Sequence, residues 1–184
     1  MGAKPKVAFY WCASCGGCEE AVVDLAEGVL TVVNAVDIIF WPVALDFKVK
    51  DVEAMPDKSI TVSFINGAVR TSEQLEMAQL LRKKSAFVIA FGACACTGGV
   101  NALKNHQDDF AEAVYGVDAH QPHLRSGTAR PISAVIKVDY EVLGCPMSRE
   151  ELLLVISNAL HGTQYVVPTY PVCAQCKRRE TICR

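Results

Sequence analysis

Val7-Ala8-Phe9-Tyr10-Trp11 runs directly into Cys12-Ala13-Ser14-Cys15-Gly16-Gly17-Cys18-Glu19-Glu20, and this stretch decides how the rest of the chain is read. An unbroken apolar run with aromatic members has the form of a strand buried on both faces, and such strands belong to parallel sheets. The loop that follows is dense in cysteine and glycine. It ends in two acidic residues, which suit the first turn of a helix. A buried strand, a thiol-bearing loop and a helix therefore follow one another.

The same succession recurs downstream. Apolar segments at Val36–Val43, Ile60–Ile65, Ala86–Phe91 and Ala134–Val138 read as further strands. A helix is expected from near Cys18 onward, with Ala21, Val22, Leu25, Val29 and Leu30 at three-to-four spacing, Gly28 weakening but not excluding it. A second is expected from about Ser72 to Lys84, capped by Thr71 or Ser72 and closed by Arg82, Lys83 and Lys84. A third, about Ser148 to Leu160, opens on the capping-box sequence Ser148-Arg149-Glu150-Glu151 and ends before Gly162. Strand–helix alternation implies an α/β fold with a doubly wound parallel sheet, whose ligands sit beyond the carboxyl ends of the strands. Residues 115–131 read as a long loop. The division expected is a domain over 1–162 and a short, irregular, cysteine-containing tail over 163–184.

Composition narrows the function. With 184 residues, 51% hydrophobic and 21% charged, the chain has the makeup of one ordinary globular domain. Eighteen basic against 20 acidic residues give a net charge of −2, which offers no field for a nucleic-acid backbone or an anionic membrane. No apolar stretch reaches the roughly 18 residues of a membrane span. The N-terminal run is too short for a signal-peptide core, so a cytoplasmic protein is expected. Nine cysteines cannot all pair internally, and a reducing compartment favours metal ligation or redox chemistry over disulfides.

The cysteines fall at strand-to-helix junctions: Cys12, Cys15 and Cys18 after the first strand, Cys94 and Cys96 after the fourth, Cys145 after the fifth. These loops share one edge of the expected sheet, so Cys15, Cys18, Cys94 and Cys145 read as ligands of one metal centre. Helix N-termini expected just after Cys18 and Cys145 would favour thiolates, and Gly16-Gly17 and Gly98-Gly99 keep the loops slim. Iron–sulfur ligation leads; zinc, which four thiolates also suit, stays open. Cys12 and Cys96 read as buried small hydrophobes. Cys173, Cys176 and Cys183, beside Lys177, Arg178 and Arg179, read as the start of a second cluster site, or else as an exposed redox-active tail. Glu19 is a candidate proton relay beside the thiols. His120 and His123 read as part of a solvated loop, and His106 and His161 have no ligand spacing. Neither a phosphate-binding loop nor a nucleophile elbow is present.

The pattern W-x3-C-x2-CE at Trp11, Cys15, Cys18 and Glu19, GACA-x2-GG at Gly92–Gly99 and GCP at Gly144–Pro146 resembles the small, electron-transferring subunit of nickel–iron hydrogenases. Within that family it is most similar to the cytoplasmic, methyl-viologen-reducing type that works with heterodisulfide reductase in anaerobes. It resembles the 20 kDa subunit of respiratory complex I more distantly, because the two residues between Cys15 and Cys18 replace the adjacent pair of that branch. The resemblance spans roughly Lys6 to Leu160. It implies a flavodoxin-like domain with a proximal 4Fe-4S cluster on Cys15, Cys18, Cys94 and Cys145. It also implies a nickel–iron centre on a large-subunit partner, and further clusters beginning at Cys173, Cys176 and Cys183 in a ferredoxin-like segment cut short at residue 184. Two other readings compete: a complex I-like subunit whose partner lacks nickel, and a regulatory protein that uses metal or thiols.

Overall fold

The computed structural model describes residues 4–25, 27–107, 110–116, 126–166, 170 and 172–182, which form two compact units, Met1–Leu152 and Leu153–Arg184. In chain order the strands are β1 (Lys6–Trp11), β2 (Asp37–Phe40), β3 (Ile60–Asn66), β4 (Val69–Thr71), β5 (Ser85–Phe91), β6 (Ser126–Arg130) and β7 (Tyr140–Val142). The helices are α1 (Gly17–Val23), α2 (Glu27–Ala35), α3 (Val49–Ala54), α4 (Ser72–Lys84), α5 (Ala93–Thr97), α6 (Phe110–Tyr115), α7 (Arg149–Leu160) and α8 (Val172–Arg178), with 3-10 turns at Gly99–His106 and Ile132–Ala134.

Five strands pair in parallel in the order β2-β1-β3-β5-β7. Counted along the sheet's own strands this is 2-1-3-4-5, the doubly wound order of flavodoxin-like folds. Apolarity without alternation is answered by burial on both faces. On one face Phe9 packs on Trp41 (4.6 Å between ring centroids), Phe64 (5.0 Å) and Phe91 (6.5 Å). The other buries Ala8, Phe40, Ile60, Ile65, Val88 and Ala90 among Met77, Ala78 and Leu81 of α4. The register sets the strand ends in line. Trp11 is opposite Asn66, Asn66 opposite Phe91, and Phe91 opposite Val142.

Helix α4 begins where expected. The Thr71 hydroxyl accepts from the Gln74 N–H (3.2 Å) while the Gln74 side chain accepts from the Thr71 N–H (3.1 Å), a complete capping box.

Four expectations are corrected. The segment Ala134–Val138 is not a strand: Pro131 leads into a 3-10 turn, and Val135, Ile136 and Val138 pack on the core from irregular backbone. The strand starts later because Asp139 fixes the register. Its N–H donates to Val88 O (2.9 Å), and its carboxylate accepts from the Val88 N–H (2.9 Å) and pairs with Arg82. The helix expected from Cys18 to Leu30 is two helices. The first ends at Asp24, where Arg149 donates to the Asp24 carbonyl (3.1 Å), and no residue of the second is buried. Within 115–131, Ser126–Arg130 is a strand antiparallel to β4, held by reciprocal bonds between the Asn105 amide and the Ala129 backbone (2.7 and 2.8 Å). The tail is not irregular throughout, since α8 carries Cys173 and Cys176. Among the described residues no helix is long and apolar enough to cross a membrane.

Because the capping box satisfies donors at the start of α4, Thr71→Ala should cost about 1 kcal/mol of stability, read as a lower urea midpoint with unchanged slope.

Candidate metal centre

The loops after β1, β5 and β7 leave the sheet from one row of residues. Cys12 N–H donates to Asn66 O (2.8 Å), Gly92 N–H to Val142 O (2.7 Å) and Ala93 N–H to Gly144 O (2.7 Å), so each loop is tied to the end of its neighbour. The first loop is further pinned by the Ser14 hydroxyl, which donates to Asn66 Oδ1 (3.2 Å) and accepts from the Gly16 N–H (3.3 Å).

These ties bring four free thiols together: Cys15 and Cys145 exposed, Cys18 and Cys94 half-buried. Burial pushes the Cys18 thiol up and the Met147 N–H, which donates to its sulfur, pulls it down. Cys94, Cys15 and Cys145 each push it up again, because a thiolate beside it would be repelled. Four thiols in mutual repulsion can ionise together only with positive charge among them. Among the described residues, no three His, Cys, Asp or Glu side chains close around a single point as ligands of one ion do.

The backbone around the sulfurs is cut to fit them. Gly92 has φ +88°, and a Cβ there would lie 2.4 Å from Cys18 Sγ; a Cβ on Gly99 (φ +54°) would lie 2.8 Å from Cys94 Sγ. Both positions demand glycine for conformation and for close approach. Gly17, by contrast, has room: a Cβ would meet Cys15 Sγ at 3.5 Å. The helix starts differ from expectation. Cys18 lies inside the first turn of α1, Cys94 inside that of α5, and α7 begins only at Arg149, beyond Cys145. The Ser148 hydroxyl, accepting from the Glu151 N–H (3.1 Å), opens that helix.

The remaining thiols separate. Cys12 and Cys96 are buried in the core and burial holds each near 12, so they sit there as neutral small groups; Cys96 Sγ donates to Ala90 O (3.6 Å) and Val142 O (3.5 Å). In the second unit, Cys173 and Cys176 stand three residues apart on α8, hence on one helical face. Cys183, His120 and His123 lie outside the described residues. His106 and His161 are exposed, and His161 Nδ1 bonds the Ser157 carbonyl (2.7 Å).

Glu19 is the buried carboxyl of the site, at 3% exposure. Its Oε2 accepts from Trp41 Nε1 (2.6 Å), while Oε1 has no hydrogen-bond partner. Burial raises its pKa above the usual carboxylate range and the Trp41 bond partly offsets this. Sequence reasoning placed Gly92 in a motif without its role of clearing space for Cys18 Sγ, and missed three contributors: Trp41 as the partner of Glu19, the Met147 N–H, and Asn101. Of these four, Gly92 alone carries a signal in sequence, as a glycine closing an apolar strand.

Residues 15–159 match the family described as the 20 Kd subunit of NADH ubiquinone oxidoreductase. The chain is 31% identical to the iron-sulfur subunit of the F420-non-reducing hydrogenase of Archaeoglobus profundus, over 96% of this chain and 64% of that protein. It is 32% identical to the corresponding F420-non-reducing hydrogenase subunit of Methanothermobacter marburgensis, over 98% and 61%. The chain thus spans less than two thirds of the length of these relatives. A chain of the NAD+-reducing [NiFe]-hydrogenase in its H2-reduced state shares the fold, with a TM-score of 0.77 at 24% identity over 90% of this chain and 96% of that one.

Trp41→Phe strands the Glu19 carboxyl without a donor and should cost about 1–3 kcal/mol in chemical denaturation. A carboxyl whose folded pKa is raised contributes its full stability below the ordinary range near 4.5 and loses it as pH rises through the raised value. Glu19→Gln should therefore flatten the decline in stability on the alkaline side of pH 4.5, and an unchanged profile would refute this account of Glu19.

Proposed function

The chain belongs to the family of the 20 Kd subunit of NADH ubiquinone oxidoreductase, and from that premise we propose that it is the iron–sulfur electron-transfer subunit of a nickel–iron hydrogenase-like oxidoreductase. The observation that carries the reading is the gathering of Cys15, Cys18, Cys94 and Cys145 at the switch-point edge of the sheet, with glycines where a Cβ would strike two of the sulfurs. The hydrogenase subunits among its relatives support the same reading, as does the Cys-x-x-Cys spacing of the first loop.

The residues fit a cubane cluster by donor chemistry and by space. Four thiols supply one ligand per iron, and glycine at positions 92 and 99 keeps the space beside the Cys18 and Cys94 sulfurs clear. A 4Fe-4S cluster held by these four cysteines supplies one-electron transfer at this edge. The chain's own residues do the rest. The Met147 N–H stabilises negative charge on Cys18, and Phe9, Phe64 and Phe91 exclude water beneath the site. Glu19, buried next to Cys18, can hold a proton close to the redox centre.

The reading includes a large-subunit partner bearing a nickel–iron centre, a cytoplasmic location, and an acceptor such as heterodisulfide reductase or another subunit. Cys173, Cys176 and Cys183 supply ligands to a second, ferredoxin-like cluster site within 163–184. The alternative of a nickel-free, complex I-like partner is favoured by the family match itself, and the metal content of the co-purifying large chain separates the two.

Anaerobically purified chain should carry four or more irons with matching acid-labile sulfide; a colourless chain holding zinc alone would sink the reading. Cys94→Ala should abolish the electron paramagnetic resonance (EPR) signal of the reduced cluster. Gly92→Ala, which drives a methyl into Cys18 Sγ, should lower iron content while the chain stays folded by circular dichroism.

A further inference from the structure

Among the residues that surround the four thiols, Asn101 stands apart because it was placed there by neither motif nor strand pattern. It lies on the 3-10 turn Gly99–His106, half-buried, with its side chain turned back toward the sheet edge. Nδ2 donates to Ala13 O (2.9 Å) and reaches Cys94 Sγ (3.5 Å). Both neighbours are acceptors, a carbonyl and a thiol sulfur, so the amide must present its nitrogen there; the carbonyl oxygen in that place would face two negative ends.

The geometry is built from both sides. Ala13 is held by a two-way bridge to Ala68, its N–H donating to Ala68 O (3.0 Å) and its carbonyl accepting from Ala68 N–H (2.8 Å), so the acceptor cannot drift. On the other side the turn can fold over Cys94 only because Gly99 has no Cβ: one would lie 2.8 Å from the sulfur and 2.9 Å from Cys94 Cα. The loops that bring Cys15 and Cys94 are thereby joined by a single amide.

We propose that Asn101 is a positioning residue that sets the reduction potential of the cluster by donating a hydrogen bond to the Cys94 sulfur while tying that loop to Ala13. This rests on the ligand set proposed above. When the cluster gains one electron the thiolate sulfurs become more negative, and a fixed N–H donor stabilises the reduced form more than the oxidised one. No bond is made or broken in this step; the electron comes from the mediator or partner, and the amide only biases the equilibrium. Removing the donor must lower the potential.

The test is an EPR-monitored redox titration of the full chain purified anaerobically with its iron, using Cys94→Ala to identify which signal belongs to this cluster. Asn101→Asp keeps the shape but removes the amide donor, and Asn101→Leu keeps the volume without any polar group. In both, the oxidised-to-reduced ratio at a fixed potential should rise about tenfold, equivalent to a fall of about 59 mV for a one-electron couple. In unmutated protein labelled with nitrogen-15 at asparagine, pulsed EPR of the reduced cluster should show a nitrogen coupling that Asn101→Asp abolishes. This second measurement needs no variant to load its cluster for the coupling itself to be seen. A signal that survives Cys94→Ala overturns the ligand assignment. A signal lost in Cys94→Ala but unshifted in either loaded Asn101 variant, or an asparagine-labelled chain without the coupling, overturns the role of Asn101 and leaves the ligand set standing.

Discussion

Parallel pairing in one register governs everything at this molecule's reactive edge. Trp11, Asn66, Phe91 and Val142 stand side by side as the last residues of four strands, so the loops that follow three of them emerge within reach of one another. A slip of one residue between β1 and β3 would reverse which side chains of β1 face each layer. It would also break the bond from Cys12 N–H to Asn66 O that starts the first thiol loop. The aromatic and aliphatic layers resist such a slip, since Phe9 could not leave Phe64 and Trp41 without exposing all three rings.

Gathering thiols in this way is electrostatically adverse. Cys18 is pushed up by three other thiols as well as by burial, and the chain's replies are local donors: the Met147 N–H on Cys18 and the Asn101 amide on Cys94. These offset part of the repulsion between thiolates, and cations in the centre would offset the rest. The core thiols show the opposite arrangement. Cys12 and Cys96 lie where burial keeps them protonated, although Cys96 lies close enough to Cys18 to be pushed up by it.

The fold was legible wherever one signal acted alone. The β1, β3 and β5 segments and α4 stand nearly where apolar runs and the Thr71–Gln74 capping pair put them. Errors arose where two signals competed. Ala134–Val138 is apolar because it packs on the core, yet the hydrogen bonds of Asp139 choose a later strand. The periodicity from Cys18 to Leu30 is continuous in sequence, but the first helix ends at Asp24, whose carbonyl accepts from the distant Arg149. Ser126–Arg130 carries no strand pattern, because its pairing depends on the Asn105 side chain.

The amino-acid sequence by itself determined that a parallel α/β sheet carries three cysteine loops on one edge, since burial on two faces and residue order are written along the chain. Tertiary structure alone decided how those loops fit. Gly92 makes room for Cys18, Trp41 holds Glu19 from 22 positions away, and Asn101 reaches Ala13 across 88; no local periodicity encodes such contacts. They exist because packing closes distances that the chain leaves open, and hydrogen bonds then select which polar groups meet there.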